Sequence, residues 1–350
     1  MARVGIREVA TLADVSMGTV SHYINHPDRV SPEKQERIQR AIDQLGFVRN
    51  NAAWQLRLGR SGTIAYIAPD VSNPFFATIA EGVEQRAAEG GLSVFIANSN
   101  RSREREDAYL AMFEQQRVQG MLVASHESVE ERLTSIRQRG IPSVLVGQLA
   151  SSPDQPSVSV DDVRGGFLAA EHLLQTGRRR VAFVGGPLGI RQVADRFEGA
   201  SAAVTAVPGA TLEVIAGTER TIAEGRELGR AIAARPVDAR PEAVFAVNDL
   251  LALGIMQALV VEHGVRVPED IAIVGYDDIE FAESSIIPLT SVRAPHEGFG
   301  VTAVELLLAE FGVAEGATAP SADARHIVFA PDLVIRASSR AVRNDSSPPH

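Results

Sequence analysis

From residue 61 onward the sequence alternates short apolar runs with segments of helical periodicity, and this constrains the fold more than any other feature. The runs "TIAYIA" (63–68), "LSVFIA" (92–97), "GMLVA" (120–124) and "SVLV" (143–146) are separated by a helical stretch after "SNP" and by helices over 104–117 and 127–139. The pattern resumes with "VSV" (158–160), a helix over 162–176, "RVAFV" (180–184) and a helix over 192–205. It closes with "AVFAV" (243–247), a helix over 249–263 and "IAIVG" (271–275). Strands alternating with helices imply parallel sheets covered on both faces. One sheet of this many strands would be unusually wide, so two α/β lobes are expected.

The first 46 residues read differently. Ile6, Val9, Ala10 and Ala13 share one helix face, and Val20 and Ile24 mark the inner face of a second helix. A third begins at "SPEK" and turns Ile38, Ala41, Ile42 and Leu45 inward. With Val15 and Val30 in the turns, three short helices close a core near the lower size limit for independent folding. Residues 47–60, "FVRNNAAWQLRLGR", form a connector of modest helix propensity that needs outside support to become helical.

Charge divides at the same place. Residues 1–60 hold nine Arg and Lys against six acids, a balance of +3, in a chain of net charge −10, so residues 61–350 carry −13. A basic head is compatible with nucleic acid, whereas an acidic body is repelled by it. The absence of cysteine removes disulfides, a thiolate nucleophile and Cys-type zinc sites. Lys34 is the only lysine, which removes a nucleoside-triphosphate loop ending in Lys and Schiff-base chemistry in the body. No apolar run reaches membrane-helix length, and "MARVGIREVA" lacks the apolar centre of an export signal. A cytoplasmic protein with no metal, no cofactor and no enzymatic activity is expected.

In "DVSMGTVSHYIN", Ser16 is placed to cap the second helix. With Val20 and Ile24 inward, Met17, Gly18, Ser21, His22 and Asn25 share the outer face. That is the arrangement of a helix in the major groove of DNA, with polar groups at base edges; an ordinary solvated face has the same pattern.

The stretch "VATLADVSMGTVSHYIN", followed by "VSPEKQERIQRAIDQLGFVRNNAAWQL", resembles the headpiece and hinge of the LacI family of transcription regulators over residues 5–58. The resemblance continues in order through "APDVSNPFF", "RVQGMLV", "VNDLLALG", "IAIVGYDDIE", "PLTSVR" and "PDLVIRAS". It implies an all-α helix-turn-helix head (1–46), a hinge helix (47–60) and a two-lobed core similar to periplasmic sugar-binding proteins (61–336). Lobe one is expected over about 61–160 plus 293–325, and lobe two over about 161–292 plus 326–336. Residues 337–350 are expected to be a disordered tail without a coiled-coil heptad.

Functionally, the resemblance implies a homodimer whose heads read the two halves of a palindromic operator in double-stranded DNA. A small polar effector (a sugar, a sugar derivative or a nucleoside-like molecule) would bind between the lobes and control a repressor. The candidate DNA contacts are Ser16, Met17, Gly18, Thr19, Ser21, His22 and Asn25, with Asn50, Ala53 and Leu56 in the hinge. Leu56 matches the family's minor-groove wedge, of the kind that kinks DNA by unstacking a base step. Several positions depart from the family pattern. His22 stands where Arg usually reads a guanine, and a single imidazole donor implies an altered half-site. Gly5 replaces a capping Thr, Arg49-Asn50 replaces Pro-Asn, and Trp54 replaces a polar residue.

Ligands of open α/β sheets bind beyond the carboxyl ends of the strands. The loops there offer Asn73, Phe75 and Phe76 after the first strand, Arg196 after "RVAFV", Asn248 after "AVFAV" and Asp277 in "GYDDIE". An aromatic wall with a guanidinium, an amide and a carboxylate suits a neutral polyol or base. By motif, Phe75, Arg196, Asn248 and Asp277 fall where the family's ligand contacts lie, with Arg191 and Gln192 as further contacts and Asp249 and Asp278 as loop braces. The family's Asp after the fourth strand is replaced by Gly147-Gln148, and its aromatic platform by Glu219 or Arg220, which argues against a simple stacked hexose. "GGPLG" lacks the spacing and lysine of a phosphate loop, and no H-E-x-x-H or G-x-S-x-G element occurs. The competing reading, a transport-type solute-binding protein, shares the body but leaves the head without a purpose.

Overall fold

The structure, a computed structural model, describes residues 4–47, 61–126, 128–314 and 321–340. The hinge candidates Asn50, Ala53 and Leu56, with Arg49 and Trp54, and residues 341–350 lie outside the described residues. The chain divides into two compact units, one ending at Ser61 and the other beginning at Gly62.

The first unit holds the helices Ile6–Ala13, Met17–Asn25 and Pro32–Leu45. Val9, Ala10, Ala13, Val20, Ile38 and Ala41 form its buried core, as the 3.6-residue spacing requires. Gly5 has no side chain to cap the first helix, but its N–H donates to Glu8 Oε2 at 2.8 Å, which restores one half of a capping box. Backbone N–H donors, Glu8's own and that of Gly5, hold the Glu8 carboxyl below its usual range. Asp14 adopts φ 50° to end this helix. Arg37 of the third helix grips that turn, donating to Asp14 O at 2.7 Å and to Oδ2 at 2.9 Å. Tyr23 donates to Gln39 Oε1 at 2.8 Å, tying the second helix to the third. The third helix thus fixes the angle between the other two.

The second unit contains two six-stranded sheets. With β1 Thr63–Ala68, β2 Ser93–Asn98, β3 Gly120–Ala124, β4 Ser143–Val146, β5 Ser157–Val160 and β11 His326–Phe329, the first has the order β11-β5-β4-β3-β1-β2, all parallel. The second joins β6 Arg180–Gly185, β7 Thr211–Ala216, β8 Ala243–Ala246, β9 Ala272–Asp277, β10 Thr290–Arg293 and β12 Asp332–Val334 in the order β12-β10-β9-β8-β6-β7. Only β12 runs antiparallel, against β10. Each sheet reverses its winding direction once, between β1 and β3 and between β6 and β8. These are the switch points where a crevice opens at the strands' carboxyl ends.

Three expectations are corrected. Residues 326–329 do not belong to lobe two: β11 pairs with β5 and completes the first sheet. The chain therefore passes between lobes after β5, after β10 and again between β11 and β12. Residues 337–339 are not a disordered tail. Ser338 and Ser339 are fully buried, and Ser338 Oγ donates to Ile273 O at 2.6 Å while accepting from Thr290 N–H at 2.8 Å. The segment 211–233, which carries no strand in the sequence reading, supplies β7 and the helix Ile222–Ala233. β7 is an edge strand whose residues are exposed or half-buried throughout, so it has no apolar run to reveal it.

Close helix packing positions the later chemistry. The helices Asp162–Gln175 and Arg191–Thr205 meet at Gly166 and Gly199. A Cβ on Gly166 would lie 2.0 Å from Arg196 O, and one on Gly199 would lie 1.8 Å from Val163 O. Only hydrogen at these positions lets the Asp162 and Arg196 side chains meet.

Candidate functional site

In the head, Ser16 accepts from Thr19 N–H at 3.1 Å and caps the second helix as its sequence position predicts. Ser16, Met17, Gly18 and His22 are exposed, Thr19 and Ser21 are half-buried, and the Asn25 side chain lies outside the described residues. Met17 is 50% exposed, on the face away from the head's core. Ser16, Gly18, Thr19 and His22 line a shallow groove whose far wall carries Arg29, Ser31 and Lys34. A row of hydrogen-bonding groups flanked by two cations has the chemistry for base edges with phosphates alongside.

In the body a cleft lies between the two sheets' carboxyl ends. Asp70, Asn73, Phe75, Phe76, Arg101, Ser125, His126 and Gly147 line it from the first lobe. Asp162, Gln192, Arg196, Arg220, Asn248, Tyr276 and Asp277 line it from the second. The expected residues Asn73, Phe75, Phe76, Arg196, Asn248 and Asp277 are all brought together here. Arg191 is not: it lies outside the lining, about half exposed, with Nε 3.6 Å from Asp195. The reason is helical phase. Gln192 and Arg196, four apart, share the inward face, while Arg191 and Asp195 share the next one round.

The aromatic pair forms an edge-to-face wall, Phe75 to Phe76 at 5.0 Å between centroids, and Phe76 continues to His126 at 5.9 Å. Asn73 caps the Pro74–Glu89 helix by accepting from Phe75 N–H at 3.1 Å. Asn248 caps Asp249–Met256 by accepting from Leu251 N–H at 3.0 Å, and its amide donates to Arg220 O at 3.2 Å. Both amides therefore hold their loops as well as face the cleft.

Arg196 is the hub. Its Nε donates to Asp162 Oδ1 at 2.8 Å, one terminal nitrogen donates to Val247 O at 2.5 Å, and the other lies 3.8 Å from Asp277. Its guanidinium stacks 3.5 Å above the Tyr276 ring. Burial works against its charge, but Asp162, Tyr276 and Asp277 outweigh it and raise its pKa. Asp277 ends β9 at φ 103° and Asp278 follows at φ 51°. Such backbone is costly for non-glycine residues and persists only when its surroundings enforce it. Here Arg336 donates to Asp278 Oδ1 at 2.5 Å, and Ser291 Oγ accepts from Asp278 N–H at 3.0 Å. Asp249 sits behind the wall, accepting from Ser291 Oγ and Ile279 N–H, so both acids brace the loop as the motif suggests. Burial, strengthened by Asp162, raises the Asp277 carboxyl to about 7 despite the opposing charges of Arg196 and Arg220.

Three contacts join the lobes across the cleft. Arg101 pairs with Glu219, Arg220 donates to His126 Nδ1 at 3.0 Å, and Gln192 donates to Gly147 O at 3.0 Å. Arg101, His126, Asp162 and Tyr276 were missed by motif reading. All lie at or just past a strand end, so applying the strand-end rule to every strand would have found them.

Residues 5–50 match the family model "Bacterial regulatory proteins, lacI family", and residues 170–339 match "Periplasmic binding protein-like domain". A relative from Vibrio atlanticus (strain LGP32), "HTH-type transcriptional repressor PurR", is 33% identical over 309 residues, covering 87% of this chain and 90% of the relative. The lac repressor dimer bound to operator and the anti-inducer ONPF superposes with TM-score 0.81 at 25% identity, covering 97% of this chain and 99% of that one. A complex of the transcriptional regulator CelR with cellobiose superposes with TM-score 0.68 at 32% identity, covering 96% and 100%. No helix among the described residues is long and apolar enough to cross a membrane. By its head, its two-lobed body and these matches, the chain belongs to the lacI family of DNA-binding transcription regulators.

Proposed function

We propose that this chain is a homodimeric repressor whose hold on a palindromic operator is set by a small polar effector captured in the interlobe cleft. The observation that carries this reading is the cleft itself, where ionisable and amide groups that follow strands of both lobes converge on one space. A ligand there would touch Phe75 and Phe76 on one side and Arg196, Asn248 and Asp277 on the other. Gln192 Oε1, buried and without a hydrogen-bond partner among the described residues, is an acceptor waiting for a donor.

In the head, Ser16, Met17, Gly18, Thr19, Ser21, His22 and Asn25 would face base edges and sugar-phosphate, with Arg29 and Lys34 on phosphates. The lac repressor is a dimer on operator in its complex, and CelR holds cellobiose; the same division of labour is what we assign here. A transport role would leave the exposed second helix of the head unexplained.

The experiment is a paired one. Sites selected from random DNA by the full chain should be palindromic, and a chain lacking residues 1–60 should select nothing. A cleft ligand at about one hundred times its dissociation constant should stabilise the full chain by about 2.7 kcal/mol. Non-palindromic selection, or selection by the truncated chain, contradicts the reading.

A further inference from the structure

We propose that the effector carries an anionic group, a carboxylate or phosphate on a polyol frame, and that Arg220 is the residue that receives it. This rests on the cleft being the effector site.

The charges lining the cleft do not pair evenly. Arg196 is matched by Asp162 at 2.8 Å and Asp277 at 3.8 Å, and Arg101 by Glu219 and, at 4.0 Å, Asp70. Arg220 has no carboxylate within ion-pair distance among the described residues. Its two hydrogen bonds are to neutral acceptors, Gly186 O at 3.2 Å and His126 Nδ1 at 3.0 Å. A guanidinium offers five donors in a flat fork, so most of this fork is uncommitted.

Its surroundings make that costly. Arg220 is half-buried, and burial, with the nearby charges of Arg101 and Arg196, outweighs the attraction of Glu219 and Asp277 and lowers its pKa to about 10. His126 cannot relieve it, since burial first, and then Arg220 itself with Arg101 and Arg196, push the imidazole down to about 3 and leave it a neutral acceptor. A glutamine would satisfy the same carbonyl and ring nitrogen without the charge. Glu219 and Asp277 attract Arg220 only from beyond ion-pair distance, and a partly desolvated cation with no carboxylate in direct contact is what an anion-binding position needs.

The rest of the lining sets the frame. Asp277, Gln192 Oε1 and the Asn73 and Asn248 amides suit hydroxyls, and the Phe75–Phe76 wall suits the apolar face of a carbon skeleton. Together they describe a sugar acid or a sugar phosphate rather than a neutral sugar. The position of Arg220 follows β7, the edge strand that periodicity does not reveal.

The test uses the full-length protein and two matched trios: ribose, ribonate and ribose phosphate; glucose, gluconate and glucose phosphate. Binding is read by thermal shift and calorimetry at up to millimolar ligand, on wild type, Arg220→Gln, Arg220→Lys and Asp277→Asn. An anionic member should bind at least ~30-fold more tightly than its neutral parent, and Arg220→Gln should bring the two within ~3-fold. Arg220→Lys should retain a weakened preference for the anion, which shows that charge and not folding is at stake. The trio members then separate carboxylate from phosphate. Equal binding of parent and anion, an anion preference that survives Arg220→Gln, or no binding by any anionic member overturns the proposal. A neutral sugar that binds wild type at least as tightly as its anionic partners, and loses that binding in Asp277→Asn, removes the anion and keeps the cleft as effector site. Ligands that bind Asp277→Asn and wild type equally remove the cleft reading itself.

Discussion

Asp277 joins strain and charge in one side chain, with left-handed backbone at the end of β9 and a carboxyl carried from 3.8 to about 7 by burial. The unfolded chain releases this proton near 3.8 and the folded chain near 7. Between those values the native state therefore holds the extra proton, and this group's contribution to stability falls as pH rises. Ligand hydroxyls donating to the carboxylate favour its ionised form. For a ligand that does not itself titrate, affinity should rise about tenfold between pH ~6 and ~8, and Asp277→Asn should flatten the profile. Calorimetry across that range decides it; a flat wild-type profile contradicts the assignment.

His22 is the second residue-scale case. It is exposed on the second helix, in the groove with Arg29 and Lys34, at the position where the resemblance implies an Arg that reads a guanine. His22→Arg should change the preferred half-site, since a bidentate guanine contact contributes ~1–3 kcal/mol of discrimination. Selection from random DNA with both proteins is the measurement, and identical half-sites would exclude a base contact.

At the scale of elements, most strands with buried apolar runs and the helices between them were legible in the sequence to within about three residues, whereas the buried strand Thr290–Arg293 and the helices Ile222–Ala233 and His296–Ala314 were not. β1, β3 and β4 are wholly buried along most of their length, so their composition alone marks them. What escaped was decided by tertiary context. β7 is half-exposed, and β11 and β12 are four and three residues long, so neither burial nor length announces them. The end of the chain was misread because "RASSR" is polar, yet Ser338 and Ser339 are buried by hydrogen bonding rather than by apolar contact. His172 Nε2 lies 2.7 Å from Ser339 Oγ, and Ser339 lies 2.6 Å from Thr290 Oγ1.

Ser338 therefore matters more than its type suggests. Ser338→Ala removes the hydroxyl that bridges Thr290 N–H and Ile273 O inside the second lobe. It should destabilise the body by about 2 kcal/mol, the cost of stranding buried polar groups. Urea unfolding of the two proteins checks this; a change within error would mean that water replaces the hydroxyl.

Across the whole molecule, the candidate cleft was legible in its second lobe, where motif and strand end coincide at Arg196, Asn248 and Asp277. It was less legible in its first lobe, where Arg101 and His126 follow β2 and β3 with no motif around them. The departure at Arg220 was visible as the loss of an aromatic residue, but its charge acquired meaning only when its neighbours were placed. The opposite signs of head and body lead to a further expectation. If the head neutralises six or more phosphates, operator affinity should drop about a thousandfold or more between ~50 and ~200 mM salt. Mobility shifts over that range measure it, and salt-independent binding would mean that the groove cations are not on phosphates.

The central claim is that occupancy of the cleft sets operator affinity, and a ligand does so only through its different affinities for two states of the protein. The direct measurement is anisotropy of the selected operator titrated with wild type and Asp277→Ala, each with and without the ligand that stabilises the body. The account predicts a ligand-dependent change of at least ~5-fold in wild-type operator affinity. It predicts none in Asp277→Ala at the same ligand concentration. A full response in Asp277→Ala, or operator binding by wild type that ignores a ligand shown to bind, would contradict it.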